Sequence, residues 1–221
     1  MANARETGRA LVQRVAEPGG GMLRQIVTLA IEGVASVPGA KATAARHLQR
    51  HGDADAAIES LIRTHVALAS AQGFATNLGG LATAVVALPA NITGVAVLQV
   101  RLAATIAHLR GYDVDDPRVR TALLMCLLGD VDAGRRTRKP DLPRPLAVAT
   151  APVYDAGLDR RVSEVVLGDL AGRIGGKQLA VQLLRRVPLV GGPVGGAVDG
   201  YLTYAIGSYV KDELITRRML R

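Results

Sequence analysis

No Lys, Arg, Asp or Glu occurs between residues 64 and 100 of the chain. An uncharged stretch of this length is expected to be buried in protein or in contact with lipid. Pro89 and the pair Gly79-Gly80 interrupt the apolar run, and the unbroken segment 81–88 covers only about a third of a bilayer span. We therefore expect a buried or re-entrant helical hairpin that breaks at Pro89, in place of a membrane-spanning helix.

Apolar residues recur at helical spacing along most of the chain, and no segment alternates with a sustained period of two. This pattern predicts an all-α fold class. The expected architecture is a single compact multi-helix domain with a central apolar helical hairpin and a glycine-striped C-terminal helix. The predicted helices cover residues 2–16, 22–36, 40–50, 53–72, 89–110, 117–129, 158–174, 177–187 and 193–221.

Composition divides the chain into two regions. Residues 1–52 are expected to form an N-terminal helical extension, and residues 53–221 the main helical domain. Inside the second region, residues 132–146 contain three closely spaced prolines, which predict a linker. The linker is either a solvated connection or a tether to anionic phosphates, and the basic residues that would make this contact are Arg135, Arg136, Arg138 and Lys139.

The excess of positive charge lies in the last third of the chain. The whole chain has a net charge of +8, and residues 131–221 carry 15 basic and 9 acidic side chains. This balance favours an anionic partner such as a membrane surface. Nucleic acid is the least favoured partner, because the chain has no recognition motif and its single Phe cannot provide a stacking surface for bases.

The single cysteine, Cys126, lies in an apolar run and is expected to be a core residue. One cysteine cannot form an intramolecular disulfide, which is typical of a reducing compartment. Residues 1–17 lack the apolar segment of a secretory signal. We therefore expect a cytoplasmic protein, or one bound peripherally at the inner face of the membrane.

Sequence patterns for catalysis, metal binding and cofactor binding are weak. Residues 175–178 lack the Ser or Thr that a phosphate-binding loop uses to hold magnesium. His47 and His51 are four apart and could share a metal with Asp53 or Asp55, but solvated histidines on a short basic helix are the favoured interpretation. The three aspartates in residues 113–116 are explained by helix capping and a solvated turn. We therefore assign no catalytic residue, no metal and no cofactor.

Polar residues are few in and around the apolar middle of the chain. They either satisfy backbone carbonyls at the expected helical break or orient a ligand head group in an apolar cavity. The polar candidates for ligand binding are Asn77, Asn91, Gln99, Arg101 and His108. The apolar candidates for lining the cavity are Leu81, Val85, Leu88, Ile92 and Val95.

Glycines recur at a spacing of four in the last helix, at Gly192, Gly196 and Gly200. Such a stripe lets two helices approach closely. The partner could be another helix of the same chain, a second subunit or lipid.

Three sequence blocks are distinctive in combination. The first is Gly73-Phe-Ala-Thr-Asn-Leu-Gly-Gly80 with Ala87-Leu-Pro-Ala-Asn91. The second contains Leu98-Gln-Val-Arg-Leu102, Ala107-His-Leu-Arg-Gly-Tyr-Asp113 and Asp115-Asp-Pro-Arg-Val-Arg120. The third is Val187-Pro-Leu-Val-Gly-Gly-Pro-Val-Gly-Gly-Ala-Val-Asp199. Together, over about residues 55–215, they resemble the EcsC family of bacterial proteins.

The resemblance implies an α-helical protein, either cytoplasmic or associated with the membrane. The family is named for a gene that neighbours an ABC transporter operon, and the resemblance implies no defined reaction. Asn91 stands where we expect the family to favour Asp. A reaction that needed a carboxylate at this position would therefore lack it.

These observations lead to three expected functions. The first is non-enzymatic binding of a lipid or another long apolar ligand, with or without peripheral membrane association. The second is protein interaction through the glycine stripe, as a homodimer or as an accessory of a membrane transporter. The third is a hydrolase-type enzyme on an apolar substrate, using His108 and a carboxylate such as Asp113 or Asp116.

Overall fold

The computed structural model describes residues 21–34, 37–78, 80–129, 142–184 and 191–217, with side chains except at 76–93, 171, 173–184, 191 and 192. The described part of the chain is almost entirely helical, with one pair of two-residue antiparallel strands. The predicted all-α fold is confirmed. The elements are α1 (Gly21–Glu32), β1 (Gly33–Val34), β2 (Val37–Pro38), α2 (Ala40–His51), α3 (Ala54–Leu78), α4 (Gly80–Leu109), α5 (Pro117–Cys126), α6 (Pro145–Ala149), α7 (Ala156–Leu184) and α8 (Gly191–Glu213).

Several helix ends follow local capping rules that were visible in the sequence. The carboxylate of Asp53 accepts a hydrogen bond from the backbone N–H of Ala56 at 2.9 Å, at the start of α3. Asp116 caps α5 in the same way, and Pro117 occupies the first helical position. Gly52 ends α2 with a φ of 71°, a left-handed conformation that glycine adopts without strain.

The predicted breaks within two long helices are wrong. α4 continues through Pro89 as a single helix of 30 residues, and α7 continues through Gly175 and Gly176. Proline removes one hydrogen-bond donor but keeps a helical φ, and each glycine costs only about 0.5–1 kcal/mol. Such local penalties do not end a helix that packs along much of its length. The hairpin therefore turns between α3 and α4, ahead of Pro89.

The helix expected over 22–36 ends four residues early, at Glu32. The strands β1 and β2 follow it, with Val34 paired to Val37. The proline-rich linker expected to run to residue 146 ends at Arg144, because α6 begins at Pro145.

Three long helices form the layer that carries the candidate site. α3 is antiparallel to α4, and an ion pair between Asp55 and Arg110 at 2.8 Å joins the start of α3 to the end of α4. α3 is also antiparallel to α8, and Glu59 pairs with Lys211 across this contact. α4 and α8 are therefore parallel to each other, and both run toward the start of α3.

The remaining helices pack around α4, whose residues between Val95 and Ala107 are mostly buried. One cluster of aliphatic side chains joins α1, α4, α5 and α7, with Ile26, Leu102, Leu123 and Val162 at its centre. Cys126 is fully buried in this cluster, and burial raises the pKa of its thiol. The helices before residue 52 share this core with those after it, and the domain boundary at that position stays a prediction.

None of the helices in the described residues is both long enough and apolar enough to cross a bilayer.

Candidate functional site

α3 and α8 touch through small residues along the predicted glycine stripe. A methyl group on Gly196 would lie 2.7 Å from the carbonyl oxygen of Ser70, and one on Gly200 would overlap the Ser70 hydroxyl. Gly196 and Gly200 therefore pack against another helix of the same chain, and this contact uses the face that an intermolecular interface would have needed. Gly192 lies in the first turn of α8, outside the described side chains.

The charged residues of α3, α4 and α8 are concentrated at one end of the layer. The last charged residue of α3 is Arg63, and the first of α4 is Arg101. The one charged residue of α8 before Lys211 is Asp199, which is fully buried. Because α3 runs antiparallel to the other two helices, their uncharged parts meet at the opposite end. We call this region the charge-free end, and it consists of residues 64–78, 80–100 and 191–198.

The surface at and beside the charge-free end exposes apolar side chains. In α8, every exposed position from residue 193 to 204 is apolar or Tyr, and Tyr201 and Tyr204 are 49% and 56% exposed. In α3, the exposed side chains between residues 65 and 75 are apolar and include Phe74, which is 43% exposed. The exposed surface residues are Leu68, Phe74, Val194, Val198, Tyr201 and Tyr204.

These residues were not among the candidates predicted from the sequence, although the signal was present. Val194, Val198 and Tyr201 recur at helical spacing, on the face of α8 opposite the glycine stripe. Once the glycines are assigned to an internal contact, this second stripe is the one left facing outward.

The polar candidates in α4 are not brought together by the structure. Gln99 is buried and donates from Nε2 to the Thr203 hydroxyl of α8 at 3.5 Å. Arg101 is buried on the side of α2 and α3, where its Nη1 donates to the carbonyl oxygen of Pro38 at 3.5 Å. His108 is exposed near the end of α4. The three side chains therefore do not surround one common site.

Arg101 instead meets His65, a contact that the sequence did not predict. Nε of Arg101 lies 3.4 Å from Nε2 of His65, and Nδ1 of His65 lies 3.0 Å from the carbonyl oxygen of Leu61. A carbonyl can only accept, so Nδ1 carries the ring proton and Nε2 accepts from Arg101. Burial, reinforced by the charge of Arg101, lowers the pKa of His65 to about 4, so the ring is neutral near pH 7.

For most of the other candidate residues, the structure does not describe the side chain. Val95 is buried in α4. The side chains of Leu81, Val85, Leu88, Ile92, Asn77 and Asn91 lie outside the described ones, although the backbone at these positions is helical. The linker residues Arg135, Arg136, Arg138 and Lys139 lie outside the described residues. Their proposed roles stay predictions.

Comparison with known proteins identifies a family. The model of the EcsC protein family matches residues 25–219. The chain belongs to the EcsC family. The match extends beyond the resemblance at both ends, since it begins within α1 and continues to residue 219. No curated protein and no solved structure shows significant similarity to this EcsC family member.

The hydrolase hypothesis for this EcsC family protein needs His108 close to a carboxylate. Among the described residues, the His108 ring makes no hydrogen bond to Asp113 or Asp116. Asp116 is already engaged, since it caps α5 and pairs with Arg118. The geometry therefore offers no assembled acid–base pair at this position.

The paired histidines of α2 stack on each other, with ring centroids 6.3 Å apart. In the parts of the chain that the structure describes, no group of three or more His, Cys, Asp or Glu side chains could hold a metal ion.

Proposed function

We propose that this EcsC family protein binds lipid and associates peripherally with a membrane surface through its charge-free end. The observation that carries the proposal is the separation of charge along α3, α4 and α8. One end of the layer is closed by ion pairs such as Asp55–Arg110. At the other end the described residues of these three helices expose no charged side chain, and the one acidic residue there, Asp199, is fully buried. A surface of this kind fits a low-dielectric partner.

The exposed residues favour a membrane interface over bulk water. Apolar side chains gain about 25 cal/mol per Å² when they leave water, so several exposed aliphatic and aromatic groups provide a substantial driving force. Tyr is favoured in the interfacial zone of a membrane, because its ring is apolar and its hydroxyl can stay hydrated. Phe74, Tyr201 and Tyr204 are half of the six aromatic residues in the chain, and all three are exposed on this surface.

The net charge favours an anionic membrane. Residues 131–221 carry 15 basic and 9 acidic side chains, and four of the basic ones follow one another closely in the linker. Basic residues near an anionic bilayer add about 1 kcal/mol each to binding. The linker would add electrostatic attraction to the apolar contact made by the charge-free end.

The same region supplies the residues proposed to contact an acyl chain. Leu81, Val85, Leu88, Ile92 and Val95 follow one another at spacings of three or four along α4, which places them on one face of the helix. Their small aliphatic side chains suit a flexible hydrocarbon chain better than a flat ring system.

Vesicle flotation tests the membrane proposal. The purified protein is mixed with phosphatidylcholine vesicles, with or without phosphatidylglycerol, and the fraction that floats is measured. We expect binding that phosphatidylglycerol strengthens. Val198→Asp and Tyr201→Asp place a charge on exposed positions, so they should preserve the fold and weaken binding by about tenfold each.

Val153→Asp is the matched control. Val153 is 75% exposed, and it lies in the loop whose Ala151 carbonyl contacts Arg118, away from the charge-free end. It should bind vesicles like the wild type. Equal binding by all variants, or no binding by the wild type, would overturn the proposal and favour a protein partner for this surface. Native mass spectrometry of the purified protein tests lipid binding separately, through the mass of any lipid it retains.

A further inference from the structure

Arg101 is a buried cation without a carboxylate partner among the described residues. Only 8% of its surface is exposed, and its contacts are the neutral ring of His65 and the carbonyl oxygen of Pro38, at 3.4 and 3.5 Å. Both hydrogen bonds are at the long end of the accepted range. Neither acceptor carries a charge, so the guanidinium is solvated weakly and is not neutralised.

Three other arginines of the described residues show what Arg101 lacks. Arg110 pairs with Asp55, Arg118 with Asp116, and Arg144 with Glu213. Arg110 and Arg118 are more exposed than Arg101, and Arg144 is mostly exposed, yet each of the three has a counter-charge. A charge that is buried without such compensation lowers the stability of the fold by several kcal/mol, so an uncompensated Arg101 is destabilising.

The surroundings of Arg101 add positive potential. Burial and the charge of Arg46 both lower the pKa of Arg101, which means that the site disfavours a further cation. Arg101 lies beside the start of α2, because it contacts the carbonyl oxygen of Pro38. One turn further along α4, the hydroxyl of Thr105 donates to the carbonyl oxygen of Ala40 at 3.5 Å.

We propose that Arg101 binds a phosphate group. A guanidinium offers two parallel N–H donors that match two oxygens of a phosphate, and its Nη2 has no hydrogen-bond partner among the described residues. The phosphate could be free in solution or belong to the head group of a phospholipid. The inference does not depend on membrane association, because its evidence lies at Arg101.

Thermal unfolding with inorganic phosphate tests the site. Phosphate should raise the Tm of the wild type in a saturable manner, because a ligand that binds only the folded state stabilises it. Sodium chloride at the same ionic strength should not reproduce this saturation. Arg101→Met should abolish the phosphate effect. It should also leave the phosphate-free protein at least as stable as the wild type, because it removes an unbalanced buried charge.

Two further variants make the result decisive. Arg161→Met removes an exposed arginine of α7 and should keep the full phosphate response. Arg101→Lys keeps the charge without the planar pair of donors and should weaken phosphate binding by about tenfold, so it serves if Arg101→Met fails to fold. A wild type without a saturable phosphate effect, or an Arg101 variant with the full effect, would overturn the proposal.

Vesicles containing phosphatidic acid identify the source of the phosphate. If the group belongs to a lipid, free phosphate should displace the protein from these vesicles, and Arg101→Met should bind them less tightly. If free phosphate is the ligand, vesicle binding should be unaffected by both changes while the Tm response remains. Failure of vesicle binding with an intact phosphate response would reject the proposed membrane function and retain this site.

Discussion

A methyl group on Gly73 would lie 2.7 Å from the carbonyl oxygen of Gly195, so α3 and α8 approach backbone to backbone at this point. The same methyl group would lie 2.6 Å from Oδ2 of the buried Asp199. Both distances are shorter than a carbon–oxygen contact allows. The Gly195 carbonyl is part of the backbone and the Asp199 side chain is fully buried, so one helix would have to move away from the other.

We therefore expect Gly73→Ala to lower the free energy of unfolding by about 1–3 kcal/mol, the usual cost of overpacking. Gly168→Ala is the matched control, because Gly168 lies in the interior of α7 with nothing within 4 Å of the added methyl group. This control should raise stability by about 0.5–1 kcal/mol through helix propensity alone. Urea unfolding of the two variants measures the difference, and equal effects would argue against close packing at Gly73.

Glycine illustrates what the sequence could and could not predict. The spacing of Gly192, Gly196 and Gly200 predicted a close helix contact, but spacing alone left the partner open among the same chain, a second subunit and lipid. The partner is α3, whose matching residues Ser70 and Gly73 do not form a stripe of equal clarity. Contacts between segments far apart in sequence depend on the whole packing arrangement, which periodicity does not encode.

Helix caps and core residues were more accessible to prediction. Asp53, Asp116 and Gly52 act within a few residues of themselves, so their roles follow from local sequence. The continuation of α4 through Pro89 was not predictable in this way, because packing on neighbouring helices outweighs a local penalty. The contact of His65 with Arg101 was missed for a related reason, since His65 occupies an apolar position of α3 and 36 residues separate the pair.

The buried His65 should make stability depend on pH. Its pKa is lowered to about 4 in the folded protein by burial, by Arg101 and, to a smaller extent, by His47, against the hydrogen bond to Leu61. In the unfolded chain it titrates near 6.5, so the unfolded state takes up a proton that the folded state refuses. The contribution of the neutral His65 to the free energy of unfolding is fully present above pH 6.5. It is lost as the pH falls toward 4, and the total loss is about 3 kcal/mol.

Urea unfolding between pH 7 and pH 4.5 measures this effect. His65→Gln should flatten the dependence, because glutamine does not titrate and its amide oxygen can still accept from Arg101. His108→Gln changes an exposed histidine and should preserve the slope. A slope that persists unchanged in His65→Gln would assign the pH dependence to other groups.

The ion pair between Arg144 and Glu213 should respond unequally to removal of its two partners. Nε and Nη2 of Arg144 donate to the Glu213 carboxylate at 3.1 and 2.8 Å, and the backbone N–H of Leu146 donates to it at 3.2 Å. Only 6% of the Glu213 side chain is exposed, against 59% for Arg144. Arg144→Met therefore leaves a buried carboxylate without its counter-charge, whereas Glu213→Gln leaves an arginine that water can solvate.

We expect Glu213→Gln to cost about 1 kcal/mol in the free energy of unfolding and Arg144→Met to cost clearly more. The double variant should recover part of the loss, since it removes the unbalanced carboxylate. A double-mutant cycle by chemical denaturation gives the coupling between the two residues. Equal losses for the two single variants would contradict the asymmetry.

The basic linker should contribute to membrane binding through charge alone. Replacing Arg135, Arg136, Arg138 and Lys139 by Gln should weaken binding to vesicles that contain phosphatidylglycerol, by up to about 1 kcal/mol for each charge. Binding to pure phosphatidylcholine should stay the same. The difference from the wild type should shrink as salt is added, because counterions screen the attraction. Flotation over a series of salt concentrations provides the measurement, and a loss that salt does not affect would point to a non-electrostatic role.

The antiparallel contact of α3 with α8 also sets the order in which the protein can be completed during synthesis. Glu59 and Lys211 are 152 positions apart, so at ordinary translation rates α3 waits roughly 8–30 s before its partner leaves the ribosome. During that interval the small-residue face of α3 is uncovered, next to the apolar stretch that begins α4. A nascent chain in this state is a natural client for a chaperone, or for the membrane surface itself.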